Sequence, residues 1–236
     1  MRLGIVALVF LPVCGLAQKE SSTRRIQSIG VVFAPELGYR VLNYASSHEW
    51  VEQLRDKTEI WNYGFTAGAK MRLRSKRSWH LETGLLYMNK SFRTNREELL
   101  WASADGTFPQ STQTIFQLKY ISLPIGVNYP LASVDRLTLS AKAGFAANIF
   151  LSAKTKVILR YAGGNENAHA SVKQVGHSRF TLAGSIGASL DYKLSDTFMI
   201  TAEPNYQRFL TSINADNNAK EYLYSFGVGF GASYMF

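Results

Sequence analysis

Beyond residue 28 the chain alternates. In 29–41 the odd positions hold Ile29, Val31, Phe33, Pro35, Leu37, Tyr39 and Val41, and the even ones Gly30, Val32, Ala34, Glu36, Gly38 and Arg40. The same period of two runs through 61–74, 79–88, 120–129, 137–149, 180–192, 198–207 and 222–236. Spacing of three and four, which would mark amphipathic helices, is scarce. Alternation of this kind marks strands with two unlike faces, so eight strands are predicted. One face is aliphatic and aromatic. The other is rich in Gly, Ser, Thr and Asn and carries few charges.

The predicted strands hold 10–15 residues, longer than the five or six usual in a soluble sheet. A tilted strand crosses the hydrocarbon layer in about 9–11 residues. The strand number is even, as in single-chain outer-membrane barrels. The expected fold is therefore all-β: an eight-stranded antiparallel transmembrane up-and-down β-barrel with short periplasmic turns and longer extracellular loops. Its apolar face meets lipid and its small or polar face fills the lumen. The links support this. Those at Ser75–Ser78, Pro130–Arg136 and Leu194–Thr197 are short, and those at about 43–60, 93–115, 152–178 and 210–221 are long. Both termini are then expected in the periplasm. Aromatics cluster at the strand ends: Trp79, Tyr129, Tyr192, Phe198, Tyr234 and Phe236 at the short-turn end, Trp61, Tyr63, Tyr87, Phe180, Tyr206 and Tyr222 toward the long loops. Amphipathic rings favour the water–lipid boundary. A soluble lipocalin-like barrel would reverse the polarity, with apolar residues inside and charges outside.

Residues 1–17 read as a signal peptide: Arg2, an apolar run from Leu3 to Val13 too short to span a bilayer, and small residues before a cut after Ala17. Residues 18–28 read as a periplasmic tail and 29–236 as the barrel. The cut removes Cys14, the single cysteine, and lowers the net charge from +9 to +8. An internal disulfide framework and a multi-cysteine metal site are excluded. Mean hydropathy is only −0.08, because a lipid face and a lumen face cancel.

The segments Lys119-Tyr120-Ile121-Ser122-Leu123-Pro124-Ile125-Gly126 and Ala143-Gly144-Phe145-Ala146-Ala147 and the glycine–aromatic strand ending Tyr234-Met235-Phe236 resemble the outer-membrane barrels called the porin family or PorT-like group. They are more distantly similar to the small OmpA and OmpX barrels. The resemblance implies a bacterial outer-membrane location and recognition by barrel-insertion machinery through the strand ending at Phe236. It implies no particular activity.

Candidate chemistry is confined to the lumen face, where Glu36, Arg40, Lys70, Arg72, Glu82, Lys142, Asp191 and Glu203 fall. Across the Ser75–Ser78 turn, Arg72 should meet Glu82 and Arg74 should meet His80. Charges inside a narrow barrel must be paired, so a structural ion network is expected. A gated solute path is the alternative. His48, His80, His169 and His177 show no metal-ligand spacing, and His177-Ser178 lacks a third member for a lipid-modifying hydrolase. No catalytic, cofactor-binding or metal-binding residue is assigned, and no cofactor is expected. Loop 152–178 carries Lys154, Lys156, Arg160 and Lys173, with Arg179 beside it and Glu166 as its one acid. That suits an ordinary solvated loop, and it has the sign to meet lipopolysaccharide. The basic residues are scattered and the aromatics lie on the apolar face, so nucleic acid is not an expected partner. Pro35, Pro124 and Pro204 fall inside strands and should mark bulges.

These features together predict a non-enzymatic barrel with a structural or surface-interaction role, contacting outer-membrane lipid and lipopolysaccharide and an extracellular or secretion-system protein. The alternatives are a narrow pore or a secretion-system accessory barrel, and after them a lipid-modifying enzyme.

Overall fold

The computed structural model describes residues 26–44, 55, 57–75, 78–101, 108–172, 176–215 and 219–236. The predicted signal peptide and the first part of the tail lie outside them. Ten strands form: β1 (Ile26–Tyr44), β2 (Glu59–Arg74), β3 (His80–Thr94), β4 (Glu97–Glu98), β5 (Ser111–Val134), β6 (Leu137–Tyr161), β7 (Gly164–Val172), β8 (Phe180–Lys193), β9 (Phe198–Phe209) and β10 (Ala219–Met235). Eight of these close into an antiparallel ring, each paired with the next ring strand along the chain, and β10 pairs back to β1. β4 and β7 stand outside the ring, on the outer ends of β5 and β6.

The alternation read from the sequence sets the two faces. Val31, Phe33, Ile125, Phe145, Ile186 and Phe230 are exposed on the outside. Ser28, Glu36, Asn148, Ser189, Asp191 and Ser225 are buried inside. At the short-turn end Tyr234 packs against Phe198 and Phe236, with ring centroids 5.5 and 5.1 Å apart. Toward the loops Trp61 packs on Tyr39 and Tyr224 at 5.4 and 5.0 Å.

Four expectations are corrected. β1 begins at Ile26, inside the predicted tail, because Ser28 pairs with Met235 and Arg72. The link expected at Pro130–Arg136 shrinks to Asp135-Arg136, with Asp135 left-handed at φ 47°, a conformation aspartate tolerates better than most residues. The link expected at 152–178 is largely strand among its described residues, and the one expected at 93–115 is entered by β3 and β5 from its two ends, with β4 between. β5 and β6 hold 24 and 25 residues, roughly 80 Å of extended chain each, far more than a crossing needs. The fourth concerns the prolines. Register shifts fall between Ile26 and Ser28, Trp61 and Phe65, Lys119 and Tyr120, and Pro130 and Ala132, and none falls at Pro35, Pro124 or Pro204. There the register runs on unshifted, and the ladder to one neighbouring strand is simply interrupted. Proline lacks the N–H donor but keeps its carbonyl, and at Pro124 that carbonyl accepts a hydrogen bond from the Thr83 hydroxyl at 2.9 Å.

Candidate functional site

The lumen is filled in layers. Nearest the short turns, Arg72 reaches three carboxylates. Its Nε lies 3.1 Å from Glu82 Oε2, its Nη1 2.7 Å from Asp191 Oδ2 and its Nη2 3.4 Å from Glu203 Oε1. Lys70 Nζ sits 3.1 Å from Glu82 and 2.5 Å from Glu203. Lys142 Nζ sits 2.9 Å from Glu82 and 2.7 Å from Glu203. Three cations thus meet three carboxylates. Neutral donors occupy further lone pairs: Asn128 Nδ2 donates to Glu82 at 3.1 Å and the Thr201 hydroxyl to Asp191 at 2.7 Å. A charge taken out of water is tolerated only with partners of this kind. The cluster draws on β2, β3, β6, β8 and β9, so it also ties one wall of the ring to the other.

One layer further, Lys90 Nζ meets Glu36 Oε2 at 2.7 Å. Glu36 also accepts from the Thr66 and Ser225 hydroxyls at 3.1 and 3.0 Å. Beside this pair a chamber of about 110 Å³ is lined by Glu36, Lys70, Glu82, Asn205 and glycines including Gly126 and Gly144. Those two glycines face each other across β5 and β6. A Cβ on Gly144 would lie 2.8 Å from Gly126 Cα, so the strands can approach this closely only without side chains.

Toward the loops the lumen turns apolar. Met88, Phe92, Leu118, Tyr120, Phe150, Phe209, Ile213 and Leu223 form one buried cluster. Tyr120 stands edge-on to Phe150 and Phe209, with centroids 5.6 and 5.4 Å away. Arg40 covers this cluster. Its guanidinium lies 4.4 Å over the Phe92 ring, pairs with Glu59, and reaches Glu221 at 2.8 Å. Arg55 approaches Glu221 from outside at 3.4 Å. A cavity of about 300 Å³ opens beside Arg40, Phe116, Ala153, His177 and Glu221, where β6 leaves β8 to pair with β7. The His177 ring packs 4.8 Å from Phe150, and burial pushes its imidazole below the usual histidine range.

The ring therefore brings all eight predicted lumen residues inside. Lys70, Arg72, Glu82, Lys142, Asp191 and Glu203 share one network, whereas Glu36 and Arg40 anchor two separate ones. The pairings of Arg72 with Glu82 and of Arg74 with His80 are as expected. Sequence reasoning missed Lys90, Glu59 and Glu221. Lys90 continues the even face of 79–88 by one more step, so a longer reading of that alternation finds it. Glu59 and Glu221 fall at the ends of segments read as loops. The reading of the lumen face as small and polar holds for the turn half and fails for the loop half, where the strands run further than expected and the inward positions become Phe92, Leu118, Phe150 and Phe209. His48 lies outside the described residues.

A closed ring of alternating strands, with an apolar outside and its buried charges paired inside, defines an outer-membrane type of β-barrel. The family model described as "Outer membrane protein beta-barrel domain" matches residues 16–172. The chain belongs to that family, and its place is the bacterial outer membrane. Among solved structures it is similar to the Neisserial surface protein NspA (10% identity, 87% of this chain and 97% of that one, TM-score 0.41). It is also similar to the outer-membrane protease OmpT of Escherichia coli (12%, 93% and 99%, 0.45). A third similar structure is the attachment invasion locus protein Ail of Yersinia pestis (13%, 87% and 98%, 0.33). No curated protein matches the chain.

Proposed function

We propose that this protein is a sealed, non-catalytic barrel that holds a projecting sheet at the cell surface, with a structural or surface-interaction role. The observation that carries the reading is the double closure of the lumen. A balanced ion cluster around Arg72 fills the turn half, and a packed apolar cluster around Tyr120 fills the loop half. An ion would have to break the first and be desolvated in the second. Outside the ring, β4 and β7 widen the long β5–β6 ribbon into a sheet that a mere membrane plug does not need. An extracellular or secretion-system protein is the class of partner such a sheet would meet.

In planar bilayers the purified protein is expected to show no discrete conductance steps above the bare membrane. Regular single-channel steps would overturn the sealed-barrel reading in favour of a narrow pore.

The same reading gives the last strand a role in assembly. Phe236 donates its backbone N–H to the Gln27 carbonyl at 3.0 Å, and its ring packs on Tyr234, so it closes the seam between β10 and β1. Deleting Phe236 is expected to lower the heat-modifiable, folded fraction in the membrane severalfold. An unchanged folded fraction would remove Phe236 from any part in assembly.

A further inference from the structure

The cations inside the barrel are paired with carboxylates, and a second set outside it is not. On β5 the outward positions facing lipid are Val127, Ile125, Leu123 and Ile121. The next outward position is Lys119. Here β6 takes one extra residue, so that Tyr120 pairs with Phe150 while Lys119 pairs with Ser152. Beyond this bulge Lys154 stands opposite Gln117, Lys156 opposite Ile115 and Arg160 opposite Ser111. From the other side Arg93 also stands opposite Ile115. Since strand positions two apart share a face, Arg93, Lys119, Lys154, Lys156 and Arg160 lie on one face of the projecting sheet. That face continues the lipid-facing band upward.

None of these five has an ion-pair partner among the described residues. The Nε atoms of Arg93 and Arg160 are shielded from solvent with no hydrogen-bond partner there. The one acid on this face among the described residues is Glu98, at its outermost corner opposite Ser111. Along β6, Lys154 and Lys156 are spaced by about 7 Å and Lys156 and Arg160 by about 13 Å.

We propose that this face binds phosphorylated lipid headgroups of the outer leaflet. The proposal rests on the placement of the long-loop end outside the cell. The charge complements phosphate, and the position is the level at which the headgroups of lipids packed against Ile121 and Ile125 must lie. Arginine and lysine both serve phosphate, the first through its planar fork and the second as a point charge.

The test titrates the full chain, folded in neutral detergent, with bis-phosphorylated lipid A and with its dephosphorylated form, in chelator so that divalent cations do not bridge. Wild type is expected to prefer the phosphorylated lipid by at least about tenfold, and this preference should shrink as salt rises. The K119Q/K154Q/K156Q/R160Q variant is expected to lose it. R136Q/K193Q, on the short-turn rim, should keep it. If the quadruple variant fails to fold, shown by loss of heat-modifiable migration, the single variants K154Q, K156Q and R160Q should each weaken binding by about fivefold. The proposal is overturned if wild type shows no preference or if the variants retain it. It is also overturned if a soluble sulfated polysaccharide binds the same residues as tightly as the lipid. Conductance decides the sealed-lumen reading separately, so the two can fail independently.

Discussion

Replacing Arg72 by Met is expected to lower the unfolding free energy of the barrel by about 3–5 kcal/mol. The guanidinium is shared among Glu82, Asp191 and Glu203. Without it Lys70 and Lys142 face three buried carboxylates, and among the described residues Asp191 keeps only the Thr201 hydroxyl as a side-chain partner. The loss comes less from the attraction removed than from the carboxylate left buried and unpaired. R72M/D191N should therefore recover part of the stability that R72M loses. Urea unfolding of the lipid-reconstituted protein, followed by tryptophan fluorescence, measures both. A loss below about 1 kcal/mol for R72M, the size seen for exposed ion pairs, would mean that the cluster is open to water and does not seal the turn half.

Phe209→Ala is the second large effect, again about 3–5 kcal/mol. The Phe209 side chain is 1% exposed and packs within the cluster around Tyr120. Its removal leaves a void that neighbouring strands, held by the ring, cannot close. The matched control is Phe230→Ala. Phe230 is 58% exposed on the lipid face, where an acyl chain can fill the space the ring vacates, and its loss should cost less than about 1 kcal/mol. The same unfolding measurement ranks the two. Equal costs would show that the loop-half cluster is loosely packed and is no seal.

Both effects depend on which face a residue takes, and that much is legible in the chain. The period of two assigns Phe230 to lipid and Arg72, Glu82 and Asp191 to the lumen with no reference to their distant neighbours. The short turn after β2 even fixes the pairing of Arg72 with Glu82, because a hairpin register follows from its turn. Local rules reach no further than that. The contact between Arg72 and Asp191 joins residues 119 apart in sequence and exists only once β10 has closed on β1.

The same limit explains the misplaced ends of β5 and β6. Alternation weakens at the bulge between Lys119 and Tyr120, where β6 takes an extra residue, and a reading that demands strict period stops there. Pairing across strands carries the sheet through. The bulge re-aims every later side chain of β6, so it decides that Lys154, Lys156 and Arg160 share the outer face with Lys119, instead of forming the solvated loop their composition suggested. The sequence by itself determined the barrel, its strand number and the polarity of its two faces, because each follows from a repeat that any short window contains. Tertiary structure alone decided that an ion cluster fills one half of the lumen and an apolar cluster the other, and that the outer cations stand on one surface. Those facts depend on register and ring closure, which are set by contacts between distant parts of the chain.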